Sequence, residues 1–253
     1  MSKVTEYRQQ SRSSADQVAN RERLYDLFRK RPIPDDQLLV NLGLFMRAPA
    51  LARVLWIDEL YRLVLDVPGA ILEFGVWWGQ TLALCESFRA IHEPYNHSRR
   101  FVGFDTFAGY PAVSDKDVAS ETIKVGGYTV SEEYEPYLEA LLEYHQHENV
   151  TAHVRKHELV RGDVTQTVLP YFEKHQEMVV ALAIFDLALY EPTKKALEAI
   201  KPRLVKGSVI AFDELNCADY PGETQALREV LGLDRHPIRR SRFLPDRSYV
   251  IID

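Results

Sequence analysis

The chain has 253 residues, 46% hydrophobic and 27% charged, a composition that fits a globular protein with a substantial core. Its net charge of −6 argues against a general nucleic-acid binder. Two cysteines provide no disulfide framework, and no apolar run reaches the roughly 18 residues that a membrane span needs.

Residues 1–15 are rich in Ser, Arg and Gln and read as a loose tail. The polar start has no apolar core segment, so no signal peptide is expected, and a reduced cytoplasmic setting fits Cys85 and Cys217. Helical spacing follows over 16–30, ended by Pro32 and Pro34, then over 38–45, and most strongly over 49–66. These segments form an expected N-terminal helical cap, residues 1–66, which covers the site or makes a subunit contact. A homo-oligomer is therefore expected.

Pro68-Gly69 stops the third helix, and the apolar strand Ala70 to Phe74 opens the main domain, residues 67–253. It runs into Glu73-Phe74-Gly75-Val76-Trp77-Trp78-Gly79-Gln80-Thr81 and then a helical pattern through Phe88. This predicts a strand, a glycine-bearing turn and a helix whose N-terminal amides favour a polar or anionic group. The glycines carry no Cβ and allow a close ligand approach. The turn lacks the G-x-G-x-x-G of a dinucleotide site.

Residues 100–104 predict a second strand ending in Asp105, followed by Thr106-Phe107-Ala108-Gly109-Tyr110-Pro111. The polar, aperiodic stretch at about 110–130 is long for a compact domain and reads as a lid or binding loop. A helix over 131–147, a strand over 157–161 ending at Gly162-Asp163 and a helix over 165–174 come next. Residues 179–185 are continuously apolar and end in Asp186, as in a buried parallel strand. A helix over 192–201, a strand over 208–212 ending in Asp213-Glu214, a helix over 223–231 and strands at 237–240 and 249–252 complete the chain. The alternation predicts a doubly wound, seven-stranded, mostly parallel α/β sheet.

Glu73, Asp105, Asp163, Asp186, Asp213 and Glu214 all fall at strand C-termini, where such sheets bind ligands. Asp105 can accept the two hydroxyls of a ribose, or simply cap the turn after it. Gly162-Asp163 can face an adenine amino group or form a turn. Asp186, Asp213 and Glu214 offer hard oxygen ligands for Mg²⁺ or a similar ion; the alternative is helix capping and pairing with Lys or Arg. His145, His147, His153 and His157 lack a ligand spacing and read as solvated. Arg239, Arg240, Arg242 and Arg247 are candidates for an anionic substrate or a solvated edge strand. Trp77 and Trp78 pack beside a cofactor or in the core.

Four motifs carry a resemblance: the stretch from Glu73 to Thr81, Phe104-Asp105-Thr106-Phe107-Ala108-Gly109-Tyr110-Pro111, Asp186-Leu187-Ala188-Leu189-Tyr190-Glu191-Pro192-Thr193 and Phe212-Asp213-Glu214. In kind and order they resemble the macrocin O-methyltransferase family, and most nearly its branch acting on TDP-rhamnose in calicheamicin biosynthesis. The resemblance implies a class I, Rossmann-like methyltransferase fold and S-adenosylmethionine- and Mg²⁺-dependent methylation of a sugar hydroxyl in antibiotic biosynthesis. It implies cofactor contacts at Glu73, Gly75, Asp105, Thr106 and Asp163, which Val76, Gly79, Thr81, Phe107 and Gly162 would complete. Metal ligands are implied at Asp186, Asp213 and Glu214, and Asp186 is the candidate general base. The family pattern has a second acid where this chain has Ala188, and Asp where it has Glu214. The rival readings are a catechol-type O-methyltransferase and a nucleotide-sugar or nicotinamide oxidoreductase.

Overall fold

The structure is a computed structural model describing residues 13–253; most of the polar tail, residues 1–12, lies outside the described residues. Three helical segments come first: α1 (Ala15–Arg29), α2 (Asp35–Leu38) continued as a 3₁₀ turn (Leu39–Leu44), and α3 (Ala48–Leu63). The main unit then runs β1 (Ala70–Phe74), α4 (Gln80–His92), β2 (Phe101–Asp105), α5 (Tyr134–His147), β3 (His157–Arg161), α6 (Val164–Lys174), β4 (Val180–Phe185), α7 (Tyr190–Ile200), β5 (Leu204–Phe212), α8 (Gly222–Val230), β6 (Ile238–Arg240) and β7 (Ser248–Ile251).

The strands form one sheet in the order β3-β2-β1-β4-β5-β7-β6. The first five run parallel, and β7 pairs antiparallel with both β5 and β6. This is the doubly wound, seven-stranded, mostly parallel α/β sheet the sequence predicts. Both central runs, β1 and β4, are wholly buried because helices cover both faces. One face packs α6, α7 and α8 through Val168, Phe172, Leu197, Ile200 and Leu227. The other packs α3, α4 and α5 through Ile57, Leu60, Leu82, Cys85 and Leu142. Differences from the predicted bounds are small. Strand β5 begins four residues earlier, and α7 begins at Tyr190 because Pro192 fits the first turn, where a missing N–H costs nothing.

Four phenylalanines cross the sheet in register. Phe104, Phe74, Phe185 and Phe212 sit on β2, β1, β4 and β5, with adjacent ring centroids 4.9–5.2 Å apart. The next residues, Asp105, Gly75, Asp186 and Asp213, therefore line up along one edge. Side chains alternate along a strand, so the aromatic ladder enters the core while its successors face the strand ends.

Buried charges tie the other face together. Arg99 is 2% exposed; its guanidinium donates to the carbonyls of Val64, Val67 and Gly69 and pairs with Glu93 at 2.7 Å. It fastens the end of α3 to the start of β1. Arg99→Met should cost about 3–5 kcal/mol in chemical denaturation, because it strands Glu93 and three carbonyls. His157 departs from the solvated reading. It is 2% exposed, with Nδ1 3.2 Å from Glu86 and Nε2 3.4 Å from Glu139. Its place at the start of β3, under α4 and α5, forces the burial.

Candidate active site

A cavity of ≈ 310 Å³ opens along the strand-end row. Among the predicted site residues it is lined by Gly75, Asp105, Thr106, Gly162, Asp163, Asp186, Asp213 and Glu214. Glu73, Val76, Gly79, Thr81 and Phe107 do not line it. Phe104 connects the cavity to the aromatic ladder.

The first half of the site is organised by Asp105. Its Oδ2 accepts from the amides of Val76 and Trp77 at 2.7 and 2.8 Å, and its Oδ1 from Phe107 at 2.7 Å. The carboxylate thus shapes both the turn after β1 and the turn after β2. Burial raises its pKa, opposed by these three amides. Gly75 (φ 90°) and Gly79 (φ 75°) hold left-handed conformations. A Cβ on Gly75 would lie 2.1 Å from the Asp186 carbonyl, and one on Gly79 2.3 Å from Leu138. Both glycines therefore admit neighbouring protein rather than only a ligand. Gly79 leaves the N-terminus of α4 without a side-chain cap. Asp163 caps α6 through Thr165 at 2.9 Å.

Glu73 lies beneath this turn, 1% exposed, with Oε2 unpartnered. Burial raises its pKa to about 8, partly offset by Thr81 and Arg53.

The second half is acidic, with two guanidiniums. Arg53 of α3 meets Asp186 at 3.1 Å, and Arg247, from the β6–β7 connection, meets Asp213 at 3.2 Å. Burial pushes Asp186 up, but the charges of Arg53 and Arg247 and the hydrogen bond from Arg53 outweigh it and lower its pKa. Burial and the Asp186 charge push the Asp213 pKa well up, against the opposing charge of Arg247. Glu214 rises to about 9, first through burial and then through Glu223 and Asp186. Asp213 Oδ1 and Glu214 Oε2 are buried without partners. Among the described residues no three His, Cys, Asp or Glu side chains are gathered as metal ligands.

The segment between β2 and α5 closes the cavity with Gly109, Tyr110, Pro111 and Tyr128. Tyr110 and Gly126-Gly127 pair through their backbones at 2.9–3.0 Å. Asp117 accepts from the Tyr190 amide at 2.8 Å, capping α7, and Lys116 pairs with Glu229 at 3.1 Å. The insert is thus fastened across α7 and α8. Trp77, Tyr128 and Ala188 line the cavity with φ of 49°, 60° and 60°. Such strain in non-glycine residues concentrates at ligand sites.

Arg53, Tyr128 and Glu223 were not singled out from the sequence, and Tyr110 entered only as part of the Phe104–Pro111 motif. Arg53 and Glu223 each stand within an apolar stripe, three or four residues before Trp56, Ile57, Ala226 and Leu227, and that placement was the available signal.

Glu73, Glu214 and Glu223 have folded pKa values of about 8, 9 and 7 against an ordinary 4.5. Each binds its proton more tightly folded than unfolded, so ligand-free stability falls as pH rises from 4.5 towards 9. Melting temperature followed across that range should decline. A flat or rising profile contradicts the buried acid cluster.

A family model for macrocin O-methyltransferases matches residues 57–234. The crystal structure of CalS11, described as a calicheamicin methyltransferase, is 45% identical, with 95% of this chain and 94% of that chain covered and a TM-score of 0.92. An apo structure of CalS11, described as a TDP-rhamnose 3'-O-methyltransferase of calicheamicin biosynthesis, is 41% identical over 95% and 96%, with a TM-score of 0.83. The O-methyltransferase NovP shares the fold at 18% identity over 79% of each chain, with a TM-score of 0.59. No match was found among curated proteins. With most of the chain matched and the strand-end site in place, the protein belongs to the macrocin O-methyltransferase family and is an O-methyltransferase.

Proposed function

We propose that the protein transfers the methyl of S-adenosylmethionine to a hydroxyl of a nucleotide-activated deoxysugar, of the TDP-rhamnose kind, in antibiotic biosynthesis. The observation that carries this is a single cavity with the Gly75–Asp105–Asp163 turn cluster at one side and Asp186 and Asp213 at the other. The first side suits the cofactor: ribose at Asp105, adenine towards Gly162-Asp163 and the polar tail near Gly75. The second side suits the acceptor. The likeness to CalS11 supports a sugar over a catechol.

Asp186 is held ionised by Arg53 and is the group that takes the hydroxyl proton as the oxygen attacks the sulfonium methyl. Fixing the two partners in line supplies much of the rate. The insert carrying Tyr110 and Tyr128 acts as a lid that excludes water. Asp186, Asp213 and Glu214 would hold a divalent cation by donor type, and Asp213 and Glu214 each keep an orphaned oxygen, but as placed the three side chains are not gathered around one point and would have to converge on the ion. Such an ion would supply a Lewis acid for the bound hydroxyl. It would compete with Arg53 and Arg247 for the same carboxylates. The stretch from α1 to α3 exposes Leu39, Val40 and Leu44 by 73%, 83% and 66%, and α1 buries no residue, which supports a homo-oligomer.

Calorimetry should give binding of S-adenosylhomocysteine and none of NAD, and chelation should abolish turnover. NAD binding overturns the cofactor reading, and full turnover in chelator overturns the cation.

A further inference from the structure

Glu223 is 0% exposed and does not line the cavity. Its carboxylate sits where three backbone amides converge. Oε1 accepts from Leu187 and Ala188 at 3.3 Å each, and Oε2 accepts from Glu214 at 3.2 Å. Those amides belong to the loops that follow β4 and β5, which carry Asp186 and the Asp213-Glu214 pair. One buried side chain on α8 thus bridges both acid-bearing loops.

The packing makes the bridge tight. A Cβ on Gly222 would lie 2.5 Å from the Tyr190 nitrogen and 2.6 Å from the Ala188 carbonyl oxygen, so the start of α8 is pressed against the loop after β4. Ala188 holds φ 60°, a conformation that a non-glycine residue keeps only when its surroundings impose it. Glu223 accepts from the amide of that residue. Both carboxylate oxygens are used, one for each loop, and only a carboxylate on an arm of this length offers two acceptors there.

We propose that Glu223 is a positioning residue for methyl transfer: it holds the loops after β4 and β5 in register, so that Asp186 and Asp213 face the same acceptor hydroxyl. This rests on the proposed use of those acids, but its test does not depend on the acceptor alone. Glu223→Gln keeps the shape and one acceptor oxygen, so it can serve one loop only. Should the Gln variant not fold, Glu223→Asp, which keeps the charge and shortens the reach, carries the same comparison. Amide exchange at Leu187, Ala188 and Glu214 should accelerate about tenfold or more, with β1 and β2 unchanged. Affinity for S-adenosylhomocysteine should stay within about threefold, while kcat falls about 100-fold, as expected for a misplaced catalytic group. Unchanged exchange at all three amides overturns the proposal, whether or not the wild type methylates a sugar. So does a full kcat, or a loss confined to melting temperature. A wild type inactive on every sugar defeats the acceptor reading instead, and the exchange result still decides the role of Glu223.

Discussion

Asp186→Asn is expected to lower kcat about 1000-fold and to leave the affinity for S-adenosylhomocysteine within about threefold. The side chain is nearly isosteric, so the strand-end row keeps its shape. Its amide can no longer accept a proton at neutral pH. Asp186 is suited to the role because its environment splits the acid cluster. Arg53 and Arg247 favour its charge, while burial and the Asp186 charge itself push the Asp213 pKa up. Neighbouring carboxyls whose pKa values are pushed in opposite directions are an acid–base arrangement made by environment. Single-turnover kinetics separates this loss from weakened binding. An Asn variant with undiminished kcat would remove Asp186 from the chemistry.

Asp105→Ala is expected to weaken S-adenosylhomocysteine binding about 100-fold by calorimetry. One carboxylate accepts three backbone hydrogen bonds from two separate turns. Bonds to a charged acceptor contribute about 1.5–3 kcal/mol each, so losing even the net effect of one or two reaches that range. The turn after β1 then loses its anchor, and Trp77 its left-handed conformation. Asp105→Asn should fall between the two, because it retains one acceptor oxygen. Amides take both lone-pair sites of Oδ2 and one of Oδ1, so beside its turn-holding Asp105 can accept one ribose hydroxyl, at Oδ1, and not the two the sequence reading expects. An Ala variant that binds the cofactor product as tightly as wild type contradicts the assignment of this half of the cavity.

The strand ends were legible because each buried run closes on the same two-residue pattern. Phe74, Phe104, Phe185 and Phe212 are each followed by a glycine or an aspartate. Parallel pairing in register converts that pattern into an aromatic floor and a row of polar residues. The helical pattern of α3 was legible too, but the role of Arg53 was not. A periodicity argument assigns a helix face to the core and does not say which strand end a charge on that face will meet. Glu223 escaped for a related reason: its partners are backbone amides, which leave no mark in a sequence. The glycines of the turn were read as room for a ligand, whereas Gly75 and Gly79 first make room for Asp186 and Leu138. The insert between β2 and α5 has no periodicity because its order comes from side-chain fastenings such as Asp117 to the start of α7.

The proposed activity is methylation, in this cavity, of a hydroxyl of a nucleotide-activated deoxysugar. Its most direct measurement is mass spectrometry of TDP-rhamnose incubated with the purified protein, S-adenosylmethionine and Mg²⁺. The expected products are the sugar carrying one added methyl and an equal amount of S-adenosylhomocysteine. Unchanged TDP-rhamnose and related nucleotide sugars, alongside a methylated catechol, would contradict it.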